Sequence, residues 1–233
     1  MSFSFQHHAW RLRLLALAAL LHTGTAQAEP FAFRGVTLGT SLADLRRLRY
    51  PEAPDARILC SHDAEAAEIR PTSDFSAGAD EARAGVSVCG AFTYGKVLGP
   101  ASKALPPEWM PARVRVGAID TAPMFWFVSG DSDDIENQGR LYRIAMRSNV
   151  AYWEDTKAAF IRRYGEPTGT EKGSLPVLRG KSIETETVTW TNPESTIRLV
   201  KRWDAPMRMR IVYELHALVP GAANAAAAQG KGL

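Results

Sequence analysis

The runs Thr185–Trp190 (TETVTW), Thr196–Trp203 (TIRLVKRW) and Met207–Leu215 (MRMRIVYEL) decide the class of this chain. In the last of them Met207, Met209, Ile211, Tyr213 and Leu215 fall on one side of an extended backbone, and Arg208, Arg210, Val212 and Glu214 fall on the other. Strand side chains alternate with a period of two, so this pattern belongs to an antiparallel sheet with one buried face. Turns at Asn192-Pro193 and Asp204-Ala205-Pro206 divide the runs into a three-strand meander.

Upstream of the meander, the spacing of Trp153, Phe160 and Tyr164 predicts a helix over 150–164, capped by Asn149 and stopped by Gly165 and Pro167. Strands are expected at Arg57–Cys60, Val86–Cys89, Ala91–Tyr94, Arg113–Ile119, Met124–Val128 and Leu141–Arg147. The last two form a hairpin around an acidic loop from Ser129 to Gly139, with Tyr142, Ile144 and Met146 on one face. The run Met124–Phe127 puts large apolar side chains on both faces of its strand, which predicts a two-sided core; the alternative is an exposed interface. The proline-rich stretch Leu98–Pro111 reads as a connection packed by Trp109. Nearer the N-terminus, Leu42, Leu45 and Leu48 recur at helical spacing behind a Ser41/Asp44 capping pair, and Pro51 ends that helix. Residues 61–85, rich in Ala, Asp, Glu and Ser, read as a surface excursion.

A helix followed by strands thus appears twice, from Leu38 and from Asn149. The expectation is an α+β fold of short helices packed on antiparallel sheet, in two tandem units over 29–148 and 149–219. The Ala-, Gly- and Asn-rich residues 220–233 form an expected disordered tail.

Residues 1–28 read as a secretory signal. Arg11 and Arg13 supply positive charge, Leu14–Leu21 a short apolar core, and Ala26-Gln27-Ala28 a small-x-small cleavage site. The apolar stretch is well short of the roughly 20 residues that span a bilayer, and no segment of the mature chain could do so. Removing the signal lowers the 28 basic residues to 26 against 25 acidic ones, so the mature chain is nearly neutral. A neutral chain has no broad field to draw it to nucleic acid or an anionic membrane. Cys60 and Cys89, the only cysteines, are expected to form a disulfide in an oxidising compartment.

The pattern Gly35-x-x-Leu38-Gly39-x-Ser41-Leu42-x-x-Leu45, and Tyr164-Gly165-x-Pro167-Thr168 ahead of the meander, resemble the small exported helix-plus-sheet modules of the beta-lactamase-inhibitor-protein and SmpA/OmlA lipoprotein type. The resemblance rests on turn and cap residues and departs from the lipoproteins in lacking their lipid-bearing cysteine. It implies a periplasmic binding or envelope-accessory module without catalysis, and it transfers no catalytic residue.

Three constellations could carry chemistry. Arg198, Arg202, Arg208 and Arg210, with Trp203 or Trp190 nearby, form a basic stripe suited to a small anionic ligand or an acidic envelope protein. Cross-strand pairing with Glu184, Glu186 and Glu214 accounts for the same arginines without a ligand. The acidic residues Asp131, Asp133, Asp134 and Glu136 offer hard oxygen ligands for calcium, although Ile135 and the displaced glycine break the EF-hand pattern. The mature chain keeps only His62 and His216; His62 with Asp63 and Glu65 is the one candidate acid–base group, while His216 reads as a strand-edge residue. There is no nucleophile elbow, metal triplet or phosphate loop, and no cofactor is implied. The expected function is therefore an exported binding or envelope-accessory module. The rival expectations are a hydrolase or other enzyme, built on a cleft with a perturbed carboxylate or His62, and a structural component of the envelope.

Overall fold

A computed structural model describes residues 29–69, 75, 77–95, 108–117, 119–129, 134–177, 180–203 and 205–220. Residues 1–28, Asp131, Asp133 and residues 221–233 lie outside them. The strands are β1 (Ala32–Phe33), β2 (Val36–Thr37), β3 (Arg57–Cys60), β4 (Ser87–Gly95), β5 (Glu108–Pro111), β6 (Val114–Val116), β7 (Ile119–Thr121), β8 (Met124–Val128), β9 (Arg140–Asn149), β10 (Gly169–Pro176), β11 (Ser182–Thr191), β12 (Ser195–Val200) and β13 (Arg208–Leu215). The helices are α1 (Leu42–Arg46), α2 (Ala79–Arg83), α3 (Ile135–Gln138) and α4 (Trp153–Tyr164). The fold is thus α+β with strand predominating. One antiparallel sheet runs β10-β11-β12-β13-β9-β8-β4-β3, and β5 also pairs with β4. Among the described residues no helix is long and apolar enough to cross a membrane.

The alternation in β13 is realised as expected: Met209, Ile211, Tyr213 and Leu215 are buried on the helix side, joined by Val188, Trp190, Ile197 and Leu199 from β11 and β12. Trp153 and Phe160 of α4, Leu42 and Leu45 of α1, and Phe33, Val36 and Leu38 of the N-terminal segment close this core. Both helices begin where their sequences signal it. The Ser41 hydroxyl accepts from the Asp44 amide at 3.1 Å and donates to the Asp44 carboxylate at 2.6 Å. The Asn149 side chain accepts from the Ala151 amide at 2.9 Å, opening a 3-10 turn over Val150–Tyr152 that runs into α4. Gly165 ends α4 with φ 82°, a left-handed value that favours glycine.

The other face of the sheet is covered over only part of its width. Leu59, Val88, Phe92, Met124, Trp126 and Tyr142 form a second core, so the Met124–Phe127 run is buried on both faces, as read from its sequence. The cover comes from the stretch expected to be a surface excursion. Ile69 is buried and bridges to Trp109, Phe75 meets Phe92 edge-on at 5.0 Å, and α2 brings Glu81 to the Tyr142 hydroxyl and the Arg143 guanidinium. Few apolar residues fold this polar stretch back: Ile69 and Phe75, with Ala77 and Ala84 packed against the same core.

Four further differences have local causes. Tyr142 does not share a face with Ile144 and Met146, because the register slips by one residue between Trp126 and Phe127 and leaves Tyr142 as a bulge. The bulge turns Tyr142 into the second core beside Arg143, whereas Ile144 and Met146 stay on the helix side. Arg113–Ile119 is not one strand but the hairpin β6–β7, which turns at Gly117, φ 61°. Val86–Cys89 and Ala91–Tyr94 merge through Gly90, where an added Cβ would stand 2.7 Å from the Met124 sulfur and 2.9 Å from the Phe92 ring. Trp109 packs the core within strand β5 rather than within a loop. Cys60 and Cys89 are directly opposite on β3 and β4 and are disulfide-bonded.

Candidate functional site

Beyond the second core, which takes in Ala145 and Val212, no described helix covers the face carried by β9, β13, β12, β11 and β10. The register aligns Glu171, Thr187, Val200, Arg210 and Arg147 in one row. The next row aligns Thr189, Arg198, Val212 and Ala145, and a third aligns Thr196, Glu214 and Arg143. Arg198 and Arg210 are therefore diagonal neighbours, and Arg210 stands directly opposite Arg147. Like charges in that position repel, a cost that the sheet alone does not require.

A hollow of about 410 Å³ lies over these rows, lined by Glu171, Thr187, Arg198, Trp203 and Arg210 among others. Arg210 is shared with a second hollow of about 230 Å³ bounded by Arg113, Trp126 and Arg147. Arg208, Arg113 and Arg147 border a third, shallower one with Tyr152 and Asp120. Among the described residues, six arginines (113, 143, 147, 198, 208 and 210) and three carboxylates (Asp120, Glu171 and Glu214) line these three hollows, which share Arg210, Arg113 and Arg147 and together make a trough. Glu214 already serves two of them, accepting from Arg143 Nε at 2.8 Å and from Arg198. Trp203, 44 % exposed, lies on the Arg210 guanidinium at 4.6 Å and holds it flat against the sheet.

Of the residues expected to form a basic stripe, Arg198, Arg208, Arg210 and Trp203 border the trough, and Arg202 does not. β12 ends at Val200, and Arg202 turns to the strand edge, where it donates to the Glu184 carbonyl at 2.7 Å. Trp190 points to the opposite side, into the core, and donates to the Gly165 carbonyl at 2.8 Å. Glu186 pairs with Lys157 of α4 at 2.6 Å rather than with an arginine of the face. Arg143 and Arg147 join the stripe unannounced by the meander; their signal is the alternation of arginine with apolar residues in β9, which only the pairing of β9 with β13 makes meaningful.

Around His62 the groups are tightly committed. His62 Nδ1 is 2.6 Å from the Ser87 hydroxyl, and Nε2 stands 3.7 Å from Asp63 and 3.8 Å from Glu136. Arg46 grips both Asp63 and Glu136, at 2.9 and 2.8 Å. Burial pushes the Asp63 carboxyl up, but Arg46 and the Cys60 amide outweigh it and hold it below its usual range. Glu65 faces away to Arg57 at 3.0 Å. Ser87 is buried, and the cluster ties α1, α3 and the end of β3 together.

Of the four acidic residues proposed for calcium, two are described. Asp134 caps α3 by accepting from the Asn137 amide at 3.1 Å, and Glu136 is held by Arg46. Among the described residues no three His, Cys, Asp or Glu side chains are placed to hold a metal ion. His216 is satisfied as a structural residue: Nδ1 donates to the Pro193 carbonyl at 3.2 Å, which leaves Nε2 to accept from Thr196 at 2.7 Å. No family model, curated protein or solved structure matches this chain.

Proposed function

We propose that the protein is an exported, periplasmic binding module without catalysis, and that it binds through the arginine-lined trough on the open half of its large sheet. Its partner is an acidic protein surface of the cell envelope. The observation that carries this reading is that, among the described residues, six arginines and three carboxylates gather over a sheet face that the described helices leave uncovered. Arginine forks grip carboxylates in pairs, and the flat, shallow trough suits a protein surface better than a small enclosed molecule. The disulfide supports an oxidising compartment, and the resemblance in the turn and cap residues supports the accessory role.

The test is an NMR titration with a poly-glutamate peptide at low salt, as a stand-in for an acidic surface. Shifts are expected at Thr187, Thr189, Arg198 and Arg210, fading with added salt as screening shortens the field. The double variant Arg198→Glu/Arg210→Glu should abolish them. Shifts scattered over the surface, or unaffected by the double variant, would refute the reading.

A further inference from the structure

On the opposite side of the sheet a second kind of cavity opens. Tyr213 alternates with the arginine-bearing positions of β13, so the cavity it lines is separated from the trough by the sheet itself. Its volume is about 250 Å³. The floor is made by Phe33, Phe160 and Tyr213, all buried in the main core, and Tyr164 forms a wall. The space exists because β1, α4 and the β6–β7 hairpin meet there through small residues. The Cβ of Ala159 is 3.9 Å from where a side chain on Gly117 would begin, and Gly117 itself, at φ 61°, disfavours one.

The interior offers a ligand aromatic surface and little else. Tyr164 donates its hydroxyl hydrogen to the Ala32 carbonyl at 3.2 Å, so the 3.3 Å contact between the two phenols runs from the Tyr213 hydroxyl to the Tyr164 oxygen. Both hydroxyl hydrogens are thereby used within the wall. Arg34, Arg115 and Arg163 surround the mouth. Arg34 is neutralised by both oxygens of Glu52, at 2.8 and 3.1 Å, and Arg115 faces Asp120 at 3.4 Å. Arg163 lies over the Tyr164 ring at 5.4 Å and meets no carboxylate among the described residues. The mouth therefore carries one guanidinium charge in excess.

We infer that this cavity binds an aromatic monocarboxylate, with its ring among Phe33, Phe160 and Tyr213 and its carboxylate on Arg163. An apolar cavity of about 150 Å³ accommodates benzene, so the space here takes a single ring and a short linker. Aromatic rings favour tilted and edge-on contacts, which the Phe160–Tyr213 pair already makes at 6.3 Å. A single carboxylate completes the charge at the mouth, and a charge-assisted bond to a guanidinium gives the ligand its orientation. The inference rests on other side chains than the trough's, apart from Asp120, which borders the third hollow and faces Arg115 at this mouth.

The probe is 3-phenylpropionate, titrated into the protein and followed by NMR. Saturable shifts are expected at Ala32, Phe33, Ala159 and Tyr213. Arg163→Gln, at an exposed position, should weaken binding about tenfold, the effect of losing one charge-assisted bond. Ala159→Phe should fill the cavity and abolish binding, whereas Arg198→Glu/Arg210→Glu on the far side should leave it unchanged. Absence of binding overturns the inference, as does sensitivity to the far-side variant. Equal binding of the neutral 3-phenylpropanamide would show an apolar cavity without a carboxylate site and would overturn it too.

Discussion

Arg143 holds two carboxylates at once, Glu81 from α2 and Glu214 from the neighbouring strand, while its guanidinium lies over the rings of Trp126 and Tyr142 at 5.8 and 5.2 Å. Arg143→Met would leave both carboxylates part-buried without their shared cation and should cost roughly 2–4 kcal/mol in urea denaturation. Arg198→Met removes a half-exposed partner of Glu214 and should cost less than about 1 kcal/mol. Acid stability follows from Asp63 and Glu81. Burial pushes each carboxyl up, but hydrogen bonds and arginines outweigh it, from Arg46 and the Cys60 amide for Asp63 and from the Gly78 amide and Arg143 for Glu81. A carboxyl whose folded pKa is depressed contributes stability that is full above its unfolded value and lost as pH falls through the folded one. The urea midpoint should therefore hold from neutral pH down to about 5 and decline below about 4. Asp63→Asn/Glu81→Gln should start lower and decline less steeply; an unchanged acid limb would assign it to other groups.

The helix α4 and the strand β13 are legible in the sequence because each carries its own signal: an aromatic stripe between a cap and a glycine, and strict alternation between two turns. Gly165→Ala tests the first of these. Nothing lies within 4 Å of the added Cβ, so its cost is backbone strain at φ 82° alone, about 1–2 kcal/mol by thermal melting. Gly90→Ala has the opposite cause, since its backbone is ordinary and the Met124 and Phe92 side chains must give way; overpacking of about 1–3 kcal/mol is expected. Elements without internal signals stay hidden in the sequence. β10 (GTEKGSLP) is almost wholly exposed and shows no alternation, because a strand at the sheet margin with solvent on both faces needs none. The Tyr142 bulge is invisible for another reason: an extra residue is defined only against the strand beside it. The basic stripe fares likewise. Arg198, Arg208 and Arg210 can be grouped from the meander alone, but Arg143 and Arg147 join them only through the long-range pairing of β9 with β13, and Arg202 leaves them because its strand ends early.

Taken as a unit, the described residues are asymmetric: one face of the sheet is sealed by α1, α4 and the N-terminal segment, and on the other the buried residues run from β3 to β9 and end at Val212 of β13. The disulfide sits at the sealed end and joins cysteines 29 positions apart, closing a loop that contains α2 and the cover it supplies. Reduction should lower stability by on the order of 3 kcal/mol in the chain-entropy account, read as a shift in the urea midpoint with and without reductant. It should also loosen the cover over Trp126 first, so tryptophan emission should redden before the helical signal declines. The order of the strands has a different bearing, on timing. β13 is the last of the described strands in the chain, yet it lies in the interior of the sheet, between β12 and β9. Until Arg208–Leu215 emerges, β10–β12 and the β3–β9 portion have unsatisfied edges where β13 belongs, and the main core lacks Met209, Ile211, Tyr213 and Leu215. A ribosome that still grips this strand keeps the sheet in two parts, and its release is the event that lets the molecule shut.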